Sequence, residues 1–564
     1  MRSHLKALLA PAIEKTAKVE ELNRTELPPL LLEPPKQREF GDLSSNVAML
    51  WAKSAKKPPR ALAEAILKNI DDADGILARK EIAGPGFLNF AFSPKFYFQQ
   101  LRAIDGGKNS QLDIGHGQKV QVEFASVNPT GPLHVGHGRV AAIGDVLARL
   151  HEATGFDVER EYYVNDAGNQ MENLGLSLYA RYRQAFGEPV EFPEGGYPGD
   201  YVKELAAEVK ARDGDKFLRA DKESTVKFFR QYGGDSLLNT IRGQLGQFGI
   251  RFDCYFSETA MRERGEVAES MARLRALGLL YSQDGAEWYR STQFGDDKDR
   301  TVIKSDGELT YFAADIAYHR NKFERKFTKL INVWGADHHG YVPRLKAAMQ
   351  GLGYDANQLQ VVLVQMVQLT RGGEPVRMGK RTGEFVALEE VLEEVGSDAA
   401  RFFFLMRKSD SHLDFDLELA KKQSSDNPVF YVQYAHARVA SIFEQAAKNG
   451  IALGAHDTVQ VERLELPEEL ELMRQMIQFN DVLAESVREL EPHRMVFYLL
   501  ELAGEFHRYY NRHRVISEDV ELSRARLFLL ENVQKTIRRG LEILGVAAPL
   551  KMASRVEAEG QVAN

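Results

Sequence analysis

The feature that most constrains this chain is an alternation between residues 119 and 164. "KVQVEFA" (119–125) is a β-rich apolar run and "FDVEREYYV" (156–164) is a second one. Between them lie the loop "PTGPLHVGHGR" (129–139) and a helix pattern from about 137 to 154 that stops at Gly155. Strand, loop, helix and strand within about 45 residues form a βαβ unit, so a parallel sheet is expected. In such a unit the loop after the first strand meets a helix N-terminus. Unsatisfied N–H groups and the positive end of the helix dipole gather there and favour an anion. Gly136 lets backbone approach a ligand. His134 and His137 are three apart and can share one side of the first helical turn.

The rest of the chain sorts around that unit. The 564 residues suggest about three to five domains. Residues 1 to about 105 mix helical patterns with short strands, including "IAGPGFLNFAFS" (82–93), and "DGGKNSQ" (105–111) resembles a linker. Charged amphipathic helices fill 166–300, consistent with a large insertion. Sheet-like runs return at "GELTYFAADIA" (307–317), "KLINVWGAD" (329–337) and "QVVLVQMVQLT" (360–370). From about 420 onward the pattern is helical and bundle-like. No apolar run nears the roughly 18 residues that span a bilayer. The N-terminus lacks the marks of a secretory signal or a transit peptide. A single cysteine, Cys254, rules out an intrachain disulfide and a cysteine-built zinc site, and a cytoplasmic location is the default. The net charge of −8 means that any nucleic-acid contact needs local basic surface.

Two imidazoles at a helix start can donate hydrogen bonds to phosphate oxygens whose charge rises in a transition state. An H-x-G-H string is expected by chance only ~0.03 times in a chain of this size. The loop resembles the "HIGH" signature of class I aminoacyl-tRNA synthetases, and "FASVNPTGPLHVGHGRVAAIGD" (124–145) is most similar to the arginyl branch. The class has a second, mobile basic loop typified by K-M-S-K-S. "EPVRMGKRTGEF" (374–385) resembles it, with Met378 and Lys380 matching and Arg377 in place of the first lysine. "REFGDLSSNVAMLWAK" (38–53) resembles the branch's additional N-terminal domain. "SDAARFFFLMRKSDSHLDFDLELA" (397–420) resembles the connection to a helical bundle. "NPVFYVQYAHARVASI" (427–442) and "FHRYYNRHRV" (506–515) resemble the anticodon-binding domain.

The resemblance implies an α/β multidomain protein. It has a class I Rossmann-like parallel-sheet catalytic domain, an α+β N-terminal domain and an all-α C-terminal bundle. The expected boundaries are 1–106 for the N-terminal domain, which meets the tRNA elbow, and 107–420 for the catalytic domain. The latter carries a helical insertion at about 170–300 and a mobile signature loop at 371–385. Residues 421–564 form the anticodon-binding domain. The implied reaction is ligation of L-arginine to tRNA(Arg) through an arginyl-adenylate, with ATP as cosubstrate, AMP and pyrophosphate as products, and tRNA required before activation. Mg2+ is carried by ATP, since no dedicated carboxylate cage is evident and no protein metal site is expected.

The roles follow residue by residue. His134 and His137 serve the α-phosphate; Lys380, assisted by Arg377, serves the outgoing phosphates. Pro129, Gly131, Gly136 and Met378 complete the ATP site. Gly335 and Asp337 of "WGADHHG" are placed at the ribose, with a helix-capping aspartate as the alternative. Met366 and Val367 offer backbone to adenine. A guanidinium is a rigid fork of donors and needs a carboxylate, which Asp315 offers with Tyr311 one helical turn before it. The alternative pairs Asp315 with Arg320 or Lys322. Ser126, Asn128, Asp166 and Gln170 are placed at the amino acid's other end. Phe40, Asn46, Tyr434, His436, Arg438, Tyr509, Tyr510 and Asn511 are the tRNA candidates; at helical spacing half of the bundle's aromatics belong to its core. A monomer without membrane contact is expected. The competing interpretations are another class I synthetase, for glutamine or cysteine, a nucleotidylyltransferase, and a non-catalytic synthetase-like RNA-binding protein. The nucleotidylyltransferase leaves the second loop and the bundle unexplained, and the non-catalytic relative should have lost His134, His137 or Lys380.

Overall fold

The structure is a computed structural model that describes residues 1–20, 22, 27–107, 111–376 and 386–552. Its centre is a five-stranded, wholly parallel sheet. Strand Lys119–Phe124 lies between Lys329–Gly335 and Asp157–Val164, with Leu359–Val364 and Cys254–Ser257 at the edges. The register pairs Val120 with Val158 and with Lys329. Parallel strands are covered on both faces, which is why Val120, Val122 and Phe124 are fully buried. The helix Val135–Glu152 lies on the central strand. Gly144 permits the close approach, since a Cβ there would stand 2.2 Å from the Phe124 ring. This is the βαβ unit expected from the sequence.

Three expectations need correction. The run at 307–317 is not a strand. Thr310 caps a helix, Tyr311–Glu324, by accepting from the Ala313 N–H, and the apolar residues that follow fit a helical period. The insertion at about 170–300 is not wholly helical. Helices Asn169–Gln184, Asp200–Asp213 and Lys222–Gln247 pack around their own aromatic core. Then Cys254–Ser257 joins the edge of the main sheet, and Leu280–Gln283, Ala286–Tyr289 and Arg300–Ile303 form a separate antiparallel sheet. The run at 360–370 also divides: Leu359–Val364 belongs to the main sheet, whereas Val367–Arg371 pairs with Leu413–Asp416.

The N-terminal segment packs the helices Arg2–Val19, Val47–Ala55 and Pro59–Asn69 on a three-stranded antiparallel sheet. The bundle consists of Pro428–Lys448, Pro467–Glu489, His493–Arg512 and Val520–Leu544. Charged contacts tie the ends of the chain together: Asp105 pairs with Lys535 at 2.8 Å, and Arg102 donates to the Val459 carbonyl at 2.7 Å. Arg401 is fully buried and pairs with Asp145 of the helix Val135–Glu152. It also donates to the carbonyls of Phe248 and Leu544, joining the helix on the central strand, the insertion and the bundle. A buried guanidinium needs this full set of acceptors to offset its desolvation.

Candidate active site

All five parallel strands deliver a candidate residue just beyond, or at, their C-terminal ends. Ser126 follows Phe124, Asp166 follows Val164, Glu258 follows Ser257, Gly335 ends its strand and Met366 follows Val364. Ligands of open parallel sheets bind at this edge. The turn leaving the central strand is tight: Ala125 has φ +52°, an uncommon value for a residue with a side chain. The Tyr162 hydroxyl holds that turn by donating to the Val127 carbonyl at 2.6 Å.

The histidine loop is knit by its own backbone. His134 is the N-cap of Val135–Glu152, and its Nδ1 accepts from the Gly136 N–H at 3.1 Å and the His137 N–H at 3.3 Å. His137 Nδ1 in turn accepts from the His134 N–H at 3.3 Å. The rings stack with centroids 3.4 Å apart, and a Cβ at Gly136 would press on the His134 ring at 3.0 Å. Burial lowers the pKa of both rings, that of His137 to about 3 with the neighbouring His134 adding to it. Both are therefore neutral near pH 7. With Nδ1 accepting, the proton sits on Nε2, so each ring is a hydrogen-bond donor without carrying charge.

Around that loop, Pro129 is buried, and the insertion reaches Thr130 through Tyr201, whose hydroxyl donates to its carbonyl at 2.8 Å. A Cβ at Gly131 would meet the same hydroxyl at 3.3 Å. Arg139, which sequence analysis passed over, is fully buried and donates to the carbonyls of Gln365, Ser411 and Lys408 at 2.8–3.0 Å. It thus fixes the backbone before Met366 and Val367 from the same helix that bears the histidines. Met366 is 70% exposed. A Cβ at Gly335 would stand 2.4 Å from Asp337 Oδ1, so a side chain there would displace the exposed Asp337 carboxylate. Asp337 is exposed and caps no helix; the cap of the 3₁₀ turn Ala336–Tyr341 is Gly335. Arg377, Met378 and Lys380 lie outside the described residues. The chain on either side of them is anchored. Val376 donates to the Leu369 carbonyl at 2.9 Å, Val135 donates to the Val386 carbonyl at 3.1 Å, and Leu388 donates to the Leu133 carbonyl at 2.8 Å. Ala387 bridges directly to His134.

The second half of the site is acidic. Asp315 is half-buried, and its Oδ2 accepts from the Tyr341 hydroxyl. Burial, with Glu258 and Glu123 nearby, raises its pKa to about 7 against the pull of Tyr341 and Lys322. The alternative pairings are taken elsewhere: Arg320 binds Glu269 at 2.6 Å, and Lys322 binds Glu123. Tyr311 is 57% exposed and faces Gly168. Asn128 donates to Gln170, and Ser126 donates to Glu123 at 3.0 Å while accepting from the Tyr163 N–H. Asp166 is half-buried, and its carboxylate accepts from the Ser257 hydroxyl at 2.5 Å and the Thr259 N–H at 2.7 Å, so it also braces two strand ends. Glu258 was missed. It is 2% exposed and accepts from the Tyr163 hydroxyl at 2.8 Å and Arg262 Nε at 2.7 Å. After the capping Ser257, an acidic residue looks like an ordinary helix start, and no local signal marks it.

The tRNA candidates separate into surface and core. Arg438 lies over the Tyr434 ring at 4.4 Å and the Tyr510 ring at 4.9 Å, beside a groove of about 580 Å³. Asn511 is exposed next to them, Phe40 is 36% exposed, and Asn46 stands at the N-cap of Val47–Ala55. His436 and Tyr509 are corrections, since both are fully buried. His436 Nδ1 faces the Pro549 carbonyl at 2.8 Å and Tyr509 donates to Glu469 at 3.1 Å, so they pack the bundle.

Known proteins resemble this chain in sequence and in fold. Residues 3–92 match the family model described as arginyl tRNA synthetase N terminal domain. Residues 100–423 match tRNA synthetases class I (R), catalytic domain, and residues 432–552 match the DALR anticodon binding domain. The arginine--tRNA ligase of Citrifermentans bemidjiense is 51% identical over 555 residues, 98% of this chain and 100% of the relative. That of Syntrophotalea carbinolica is 49% identical over 554 residues, again 98% and 100%. The solved arginyl-tRNA synthetase of Thermus thermophilus, at 23% identity, shares the fold with a TM-score of 0.76 across 97% of this chain and 100% of that one. The chain belongs to the arginyl-tRNA synthetase family of class I.

Proposed function

We propose that the chain attaches L-arginine to tRNA(Arg) in two steps. A carboxylate oxygen of arginine attacks the α-phosphorus of ATP and the bond to pyrophosphate breaks, leaving arginyl-adenylate. The 2′-hydroxyl of the terminal ribose then attacks the activated carbonyl, and AMP leaves. The observation that carries this proposal is the strand-end array. Two neutral imidazole donors stand at the helix start after the central strand, and a carboxylate pocket opens beside the same sheet edge. His134 and His137 donate through Nε2 to α-phosphate oxygens as their charge rises. Lys380 and Arg377 meet the departing pyrophosphate, while Pro129, Gly131, Gly136 and Met378 shape the nucleotide site. Gly335 and Asp337 receive the ribose, and Met366 and Val367 the adenine. Magnesium enters as part of the MgATP substrate.

Asp315 and Tyr311 receive the guanidinium, while Ser126, Asn128, Asp166 and Gln170 hold the other end of the amino acid. The anticodon loop lies on Tyr434, Arg438, Tyr510 and Asn511, where aromatic and guanidinium faces suit splayed bases. Phe40 and Asn46 meet the tRNA elbow. The protein works as a cytosolic monomer, and among the described residues no helix is long and apolar enough to cross a membrane. ATP–pyrophosphate exchange is the test. Exchange with arginine that depends on added tRNA(Arg), followed by charging of that tRNA, is the expected result. Exchange with glutamine and none with arginine contradicts it.

A further inference from the structure

We propose that Tyr341 is a positioning residue for the amino acid's side chain, orienting the Asp315 carboxylate so that one oxygen stays open to a guanidinium. The Tyr341 hydroxyl donates to Asp315 Oδ2, whereas Oδ1 has no hydrogen-bond donor among the described residues. The phenol is itself held in place. Its ring meets Phe312 and Trp334 edge-on at 6.0 and 6.3 Å, and the Arg344 guanidinium lies over it at 4.7 Å. Burial, and then the carboxylate beside it, raise its proton affinity far above the ordinary phenol range, so it remains a donor. Tyr341 also ends the turn Ala336–Tyr341, which begins at Gly335. The group that aims the carboxylate therefore belongs to the segment placed at the ribose.

The donor has an electrostatic effect as well. Asp315 is faced by Glu123 from the central strand, Tyr163 from the strand Asp157–Val164, Glu258 from the helix Glu258–Glu263, Lys322 from its own helix and Tyr341 from the turn. Arg344 and Arg300 face the phenol. Burial and the two glutamates favour the protonated carboxyl, while Tyr341 and Lys322 favour the anion. A guanidinium needs the anion. Removing the hydroxyl while keeping the ring should leave more carboxyl protonated at neutral pH and loosen its orientation.

The inference rests on Asp315 being the guanidinium's partner, so the experiment has two arms. Aminoacylation of tRNA(Arg) by the full chain is measured against arginine concentration for Y341F and D315N. For Y341F, KM for arginine should rise about tenfold near pH 7 while kcat changes less than about twofold, and the penalty should shrink toward about pH 9. KM within about twofold of the parent, or a penalty of the same size at every pH, overturns the role of Tyr341. An arginine KM that D315N leaves unchanged overturns the placement of the guanidinium instead. If Y341F proves too unstable to assay, 3-fluorotyrosine at 341 keeps the packing and strengthens the donor. It should move the midpoint of the KM profile to lower pH, and an unmoved midpoint overturns the proposal.

Discussion

The histidine loop and the acidic pocket share one sheet edge but are held by different kinds of contact. His134, Gly136 and His137 bind one another through backbone N–H groups within a single helical turn. The pocket draws Glu123, Tyr163, Glu258, Asp315 and Tyr341 from five separate elements, and its geometry exists only in the folded chain. Burial also acts on the two in opposite ways. It lowers the pKa of both imidazoles, that of His137 to about 3, so both are neutral donors near pH 7. It brings Asp315 to about 7, where its charge changes near neutrality. One half of the site is thus locally built and uncharged near neutrality, and the other is assembled at a distance and changes charge there.

The largest effect that can break this contrast is at His137. H137A should lower kcat for pyrophosphate exchange by about 10²–10³ with little change in arginine KM, because it removes a donor used chiefly in the transition state. Steady-state exchange at saturating ATP reads this, and a change confined to arginine KM would erase the division. D315N should act in the opposite sense, raising arginine KM by about 10² with a smaller effect on kcat, since a charge-assisted pair is lost.

The pH dependence is next in size. Below about pH 7 the Asp315 carboxyl is protonated in the free enzyme and must release its proton to take a guanidinium. Arginine affinity should therefore fall up to about tenfold per unit as pH drops below that value and level off above it. Calorimetry in two buffers of different ionisation enthalpy should detect a proton released on binding. The smallest effect sharpens the comparison by disturbing the frame under the histidines alone. G144A forces a Cβ against the Phe124 ring and should cost about 1–3 kcal/mol, seen as a lower thermal unfolding midpoint, with arginine KM unchanged.

The same division governs what could be read from the residues beforehand. The βαβ unit and the histidine pair were legible because strand pattern, glycine, helix start and spacing lie in one continuous stretch. Tyr311 and Asp315 were reachable as one turn of helix, although the run 307–317 that holds them has a strand-like look; Thr310 caps the helix there. Glu258, Arg139, Arg401 and Tyr341 were not legible, since each takes its role from partners on distant segments. Cys254–Ser257 is four residues long, too short for an alternating pattern to mark it as a strand of the main sheet. In the bundle, aromatic and basic residues recur at helical spacing, but spacing does not say which side meets solvent. Tyr434 and Tyr510 flank Arg438 at the groove, while His436 and Tyr509 turned inward.

A crystal structure with a non-hydrolysable arginyl-adenylate analogue probes both halves at once. The group replacing the phosphate should lie within hydrogen-bond reach of Nε2 of His134 and His137, with the guanidinium on Asp315 Oδ1. An analogue whose phosphate mimic lies away from both imidazoles, or whose guanidinium binds elsewhere while Asp315 keeps Tyr341 alone, would contradict this picture.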